Sequence, residues 1–323
     1  MSDLYGAIDL GGTNVRAVVA GLDGNVCGDR IQPSCAADGL DATLASIFDA
    51  LERASAEASL RPGELLAIGI CSAGWVDSEH GIVPAAPQLP GWRNVPLTQI
   101  IQERTGVRAW LENDANAAAL GEHVFGAGKD VRHLVYITVS TGIGGGIIVD
   151  GKLYGGAKGS AGEIGHTIID PAGPLCGCGN YGCLESLASG TAIARRGEEA
   201  AARGESPALV AIKGRDGHLT AQSMAEAALG GDAVSREIFA EAGRFLGVAL
   251  ANVVNLLSPE LILIGGGVAR EPQLFLPQAE DTMRALSLSE PLKHVRLGLA
   301  ALGELAGPLG MIARLREVVG QAA

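Results

Sequence analysis

Short apolar runs alternate with longer stretches of helical spacing along this chain, and that alternation predicts α/β layers. Tyr5–Leu10 and Val15–Gly21 read as strands joined by the turn Gly11-Gly12, and Asp23-Gly24 turns the chain again. Leu40–Ala58 has helical composition. Leu65–Cys71 and Arg108–Glu112 are short apolar runs that predict buried strands, and Asn116–Phe125 is an alanine-rich helix. The β-prone run Leu134–Val139 comes next, with Ile147–Val149 after more glycine. Ala233–Leu257 is the clearest helix. Ile238, Ala242, Phe245, Leu246, Ala249, Val253 and Leu257 recur at helical spacing, Asp232 is placed to cap the start, and Pro259 lies just past the end. Leu261–Ile264 predicts a strand running into Gly265-Gly266-Gly267, and Leu305–Val319 a final helix. Residues 5–21 and 134–149 both read as strand, glycine turn, strand, a weak repeat that points to a duplicated fold. No low-complexity linker separates the halves, so they are expected to share a cleft.

Length and composition narrow the choice. The 323 residues suggest about two domains at roughly 150 residues each. Hydrophobic residues make up 47% and charged residues 19%, enough to bury a core. A net charge of −12 opposes non-specific binding to nucleic acid or an anionic membrane, and 4% aromatics oppose a stacking platform for single strands. The 47 glycines are about twice the usual share and have no collagen period, which is the pattern of backbone brought close to a ligand. The start shows no basic region followed by an apolar run, and Phe245–Pro259 is too short to span a bilayer. A soluble cytoplasmic protein is expected. Cys27, Cys35 and Cys71 are scattered and read as small hydrophobes.

Three glycine turns follow apolar strands: Asp9-Leu-Gly-Gly-Thr13, Ser140-Thr-Gly-Ile-Gly-Gly-Gly146 and Gly265-Gly-Gly267. Such turns let backbone N–H groups point at phosphate oxygens, and Thr13 or Thr141 adds a hydroxyl donor; hairpin turns needing positive φ would look the same. None has the P-loop spacing, nor the dinucleotide pattern opening a helix. Asn113-Asp114 sits where a strand gives way to a helix. It fits an N-cap with its first-turn acid, and equally a general base with a neighbour that orients a hydroxyl; spacing does not choose. His166, Cys176, Cys178 and Cys183 offer one imidazole and three thiolates within eighteen positions, a set that suits a tetrahedral structural zinc without an open site. Glu163 and Glu185 flank that cluster; each fits a surface acid, and equally a carboxylate that a braced loop aims at a polyhydroxylated ligand.

Taken together, Asp9–Thr13, Glu112-Asn-Asp-Ala-Asn-Ala117, Ser140–Gly146, Gly162-Glu-Ile-Gly-His166, Cys176–Glu185 and Gly265-Gly-Gly-Val268 resemble the ROK family of sugar kinases, from about residue 5 to about 316. The resemblance implies the actin-like ATPase (ribonuclease H-like) fold. Residues 1–113, completed by a C-terminal helix at 303–323, would form a small α/β domain, and 114–302 a large one carrying the zinc loop 166–183. It also implies ATP-dependent phosphorylation of a hexose, glucose first of all, with Mg²⁺ accompanying ATP and a homodimer or homotetramer as the assembly. By the same resemblance Asp114 looks like the catalytic base, and Gly74, Asn113, Glu163, His166 and Glu185 like sugar ligands. Asp9, Gly11, Gly12 and Thr13 look like the first phosphate loop with Asp9 near Mg²⁺, Thr141 and Gly142 like the second, and Gly265, Gly266 and Gly267 like the adenosine side. His166, Cys176, Cys178 and Cys183 look like the family's zinc site, with the second ring nitrogen of His166 turned to the sugar.

Ala73 stands where the family commonly has proline, and Gln88 in Pro87–Trp92 where many members have asparagine; both departures bear on the identity of the sugar. N-acetylglucosamine, N-acetylmannosamine and fructose are the nearest alternatives. The family also includes sugar-responsive repressors, which carry an N-terminal helix-turn-helix. The first phosphate loop here begins at Asp9, and the charge is wrong for DNA. A catalytically silent sensor is opposed by the presence of Asp114 and both glycine loops. Polyphosphate as donor finds no basic stripe to hold it.

Overall fold

The computed structural model describes residues 3–86 and 88–320. Met1, Ser2, Pro87 at the head of the Pro87–Trp92 segment, and 321–323 of the expected final helix lie outside the described residues. In chain order the strands and helices are β1 (Tyr5–Leu10), β2 (Asn14–Ala20), β3 (Val26–Pro33), α1 (Leu40–Glu57), β4 (Ile68–Ser72), β5 (Trp75–Asp77), β6 (Ile82–Ala85), β7 (Arg93–Val95), α2 (Leu97–Thr105), β8 (Ala109–Asn113) and α3 (Asp114–Val124). They continue with β9 (Leu134–Val139), β10 (Ile143–Val149), β11 (Lys152–Leu153), α4 (Leu184–Ala188), α5 (Gly190–Ala202), α6 (Pro207–Asp216), α7 (Ala221–Leu229) and α8 (Ala233–Leu257). The last are β12 (Leu261–Gly265), α9 (Leu276–Leu286), α10 (Ser289–Leu292), β13 (Arg296–Leu299) and α11 (Ala306–Gly320).

The chain divides into two compact units. The first takes the described residues of 1–132, 146–162 and 301–323; the second takes 133–145 and 163–300. The expected division at 113/114 falls within the first unit, between β8 and α3.

The first unit is built on a five-stranded sheet in the order β3-β2-β1-β4-β8. Strands β1, β4 and β8 run parallel, and β2 and β3 are antiparallel to their neighbours. Alternate residues point to opposite faces, so each apolar strand feeds two layers. Ile8, Leu10, Ile70 and Leu111 pack with Ile47 and Leu51 of α1 and with Leu97 and Ile101 of α2. Tyr5, Ala7, Val18 and Cys71 face Leu309, Met311, Ile312 and Leu315 of α11, with Ala117 of α3.

In the second unit, β12 lies parallel to β9 on one side and to β13 on the other. Asp232 caps α8 as its position predicts, its Oδ1 accepting from Ser235 N at 2.7 Å. Among the described helices α8 alone is long and apolar enough to cross a membrane by length and composition. Half of its most apolar window is buried inside the structure, where Ile238, Phe239, Leu246 and Leu250 lie in the core.

Several boundaries differ from the sequence reading. Helix α3 starts at Asp114 rather than Asn116, because Asn113 caps it. Strand β10 starts at Ile143 rather than Ile147; glycine has low strand propensity, yet Gly144, Gly145 and Gly146 run extended. Strand β4 covers Ile68–Ser72, leaving Leu65 and Leu66 outside it.

Candidate active site

The register of the first sheet assembles one end of a site. Asp9, Cys71 and Glu112 are successive partners across β1, β4 and β8. Because the three strands are parallel, the turns that follow them emerge at the same end, the usual ligand end of such sheets. Those turns carry Gly11, Gly12 and Thr13, then Gly74, then Asn113-Asp114.

The turn after β1 closes with Gly11 N donating to Asn14 O at 2.9 Å. Ser34 Oγ donates to Gly12 O at 2.8 Å, and Thr13 is exposed. Neither glycine takes a positive φ. Gly12 is required by crowding instead: a Cβ there would come within 2.8 Å of Gln88 Cβ and 2.9 Å of Gln88 O. Burial pushes the Asp9 carboxyl up to about 6 from 3.8, against weaker lowering by the Cys71 thiol and Arg16.

Of the two readings of the Asn113-Asp114 spacing, the structure shows the cap. Asn113 does cap α3, its Oδ1 accepting from Ala115 N at 2.9 Å and Asn116 N at 3.1 Å. Its Nδ2 donates to Gly74 O at 3.2 Å, tying together two of the expected sugar ligands. Asp114 opens the helix with Oδ1 accepting from Ala115 N at 2.9 Å, where the positive end of the helix favours its charge. Sequence reasoning assigned no role to Glu112. It is 4% exposed, and its Oε1 accepts from Ser78 Oγ at 3.3 Å, Asn113 N at 3.0 Å and Asn116 Nδ2 at 3.2 Å.

The second unit repeats the arrangement. In the parallel pair β9 and β12, Thr138 is the partner of Gly265, so the turns through Thr141-Gly142 and Gly265-Gly266-Gly267 leave the same end. Helix α5 is anchored to the first of them: Gly190 N donates to Ser140 O at 2.7 Å and Thr191 Oγ1 to Thr141 O at 2.8 Å. A pocket of about 590 Å³ joins Thr141 and Gly267 to the first turns of α5 and α7, with Phe239 and Leu229 among its apolar walls. Two groups at this pocket were missed in the sequence, Thr191 and Thr220. Their signals were the capping serine before Gly190 and the Thr220–Ser223 capping box.

His166, Cys176, Cys178 and Cys183 converge, their ligand atoms all lying within 4.8 Å of one another. Cys176 Sγ is 3.7 Å from His166 Nδ1, and Cys178 Sγ is 3.6 Å from Cys183 Sγ. Four ligands held at roughly 2.3 Å around one tetrahedral ion would stand about 3.8 Å apart, so this soft donor set fits a structural zinc. The Asn180 backbone N–H holds the Cys178 thiol below its ordinary range, while burial raises that of Cys183. Glu163 is exposed at the start of the turn leading to His166, its carbonyl accepting from His166 N at 3.1 Å. Glu185, in the first turn of α4, turns back to the glycine loop: its Oε2 accepts from Ile143 N at 3.0 Å.

The family model described as ROK matches residues 5–317, nearly the whole chain. The chain belongs to the ROK family. ROK structures have the actin-like ATPase fold, as expected here from the sequence, and this chain has it too. A glucokinase of Thermotoga maritima is 34% identical over 97% of this chain and 97% of its own length. The crystal structure of a ROK glucokinase from Streptomyces griseus in complex with glucose and AMPPNP is 35% identical. It covers 97% of this chain and 99% of that one, with a TM-score of 0.85. The ROK relatives also include a xylose repressor of Caldicellulosiruptor bescii, 33% identical over 95% of this chain and 76% of the repressor.

Proposed function

We propose that this ROK chain is an ATP-dependent hexose kinase and that glucose, converted to glucose 6-phosphate, is its substrate. The observation that carries the reading is the register of β1, β4 and β8. It sets the first glycine turn, Gly74 and the Asn113-Asp114 turn at the carboxyl ends of three adjacent parallel strands. The similarity to glucokinases, one of them in complex with glucose and AMPPNP, supports both substrates.

In this mechanism Asp114 accepts the proton of the attacking sugar hydroxyl. That oxygen then bonds to the γ-phosphorus of ATP as the bridging bond to the β-phosphate breaks and ADP leaves. Asn113, Gly74, Glu163, Glu185 and Nε2 of His166 bind and orient the sugar. Gly11, Gly12 and Thr13, with Thr141 and Gly142, present backbone and hydroxyl donors to the phosphates. The pocket beside Gly265–Gly267 takes the adenosine. Asp9, a half-buried carboxyl near the end of β1, would hold the Mg²⁺ that neutralises phosphate charge. His166, Cys176, Cys178 and Cys183 would hold a structural zinc that braces the loop. The chain is expected to act as a homodimer or homotetramer.

The test is ADP release from Mg·ATP with single hexoses: glucose, mannose, fructose, N-acetylglucosamine and N-acetylmannosamine. Turnover with glucose well above the others is expected, and preference for an N-acetyl sugar would replace glucose. The similarity to a xylose repressor supports a second reading, a sugar sensor; sugar binding with no ADP release from any of the panel would favour it.

A further inference from the structure

Glu112 belongs to the motif Glu112–Ala117, yet the chemistry above leaves it without a task. It is almost wholly buried at the end of β8, and a buried carboxylate is costly unless its oxygens are satisfied. The three donors on its Oε1 come from three places: the Ser78 hydroxyl in the turn after β5, the Asn113 backbone N–H, and the Asn116 side chain in the first turn of α3. A charged oxygen tolerates such crowding better than a neutral one. Asn113 meanwhile donates to Gly74 O, on the segment that also carries Ser78. Glu112 Oε1 is therefore the common anchor of the 74–78 segment and of the turn that presents Asn113 and Asp114.

We infer that Glu112 is a positioning residue, which sets the sugar-binding turn through Ser78, Asn113 and Asn116 and governs sugar use without touching the nucleotide. The inference rests on the roles proposed for Asn113 and Asp114. Misplacing a reacting group by about 1 Å costs on the order of 100-fold in rate.

The test compares Glu112→Ala, Glu112→Gln and Asp114→Asn in the full-length protein, measuring kcat and KM separately for sugar and ATP. Glu112→Ala is expected to lower kcat/KM for the sugar by about 100-fold and to leave the KM for ATP within about twofold. Glu112→Gln keeps an acceptor oxygen and should recover to within about tenfold of wild type. Unchanged sugar kcat/KM in Glu112→Ala, a KM for ATP raised as far as that for the sugar, or a glutamine variant as poor as the alanine one would each overturn the inference. If Glu112→Ala does not fold, the double variant Ser78→Ala/Asn116→Ala removes two of the three donors. It should lower sugar kcat/KM by about tenfold, and no change would overturn the inference. Wild-type turnover in Asp114→Asn would instead overturn the proposed base, an outcome distinguishable from any result at Glu112.

Discussion

Asp9 shows how one residue's environment becomes a measurable property of the protein. Its carboxyl is held at about 6 against an ordinary 3.8, chiefly because burial penalises the charged form. Between those two values the folded protein binds a proton that the unfolded chain has released. The contribution of Asp9 to stability is therefore fully present below the lower value and is lost as pH rises through about 6. Without added magnesium, Asp9→Asn should remove that decline and raise the melting temperature at neutral pH relative to wild type. Identical pH profiles of melting temperature for the two proteins would refute the assignment. The surroundings of Asp9 were not legible in the sequence: its cross-strand neighbour Cys71 and the approach of Gly307 in α11 depend on pairings across distant parts of the chain. The chemistry of Asn113 was half legible. Spacing offered cap or ligand, whereas the structure gives it the cap through its oxygen and a tie to Gly74 through its nitrogen.

At the scale of elements, the loop from His166 to Cys183 has little regular structure to hold it. Its β pairing is confined to the isolated bridges of Ile168 with Cys183 and Leu175 with Tyr181, with a few backbone bonds beside them such as Ile169 N to Gly182 O and Cys176 N to Asn180 O, both at 2.8 Å. A bound ion would add four side-chain cross-links to these, so metal and loop order should be lost together. Wild-type protein is expected to carry about one zinc per chain by elemental analysis, and Cys178→Ser to lose it together with thermal stability. Folded, metal-free wild-type protein of undiminished stability would contradict this. Here the sequence was informative about geometry, because the four N/S donors it places within eighteen positions do converge in the fold. It was less so for β10, whose glycines obscure its first four residues, and for the three-stranded sheet β5-β6-β7, whose strands are only three or four residues long. Short strands carry too few alternations to register as a pattern.

At the scale of the whole molecule, the α/β layering and the strand–glycine turn–strand opening of both halves follow from hydrophobic spacing alone. Strand order does not: the parallel alignment of β1, β4 and β8 joins segments about 60 and 40 residues apart, and only tertiary packing decides it. That alignment is also what converts separate motifs into a site. Asp114, presented by it, is the proposed base of a sugar kinase. The most direct measurement is glucose-dependent ADP release by Asp114→Asn beside wild type, with glucose binding followed by calorimetry. Nearly unchanged glucose affinity and a kcat lower by at least about 100-fold are expected. Turnover equal to wild type in a variant that still binds glucose would contradict it.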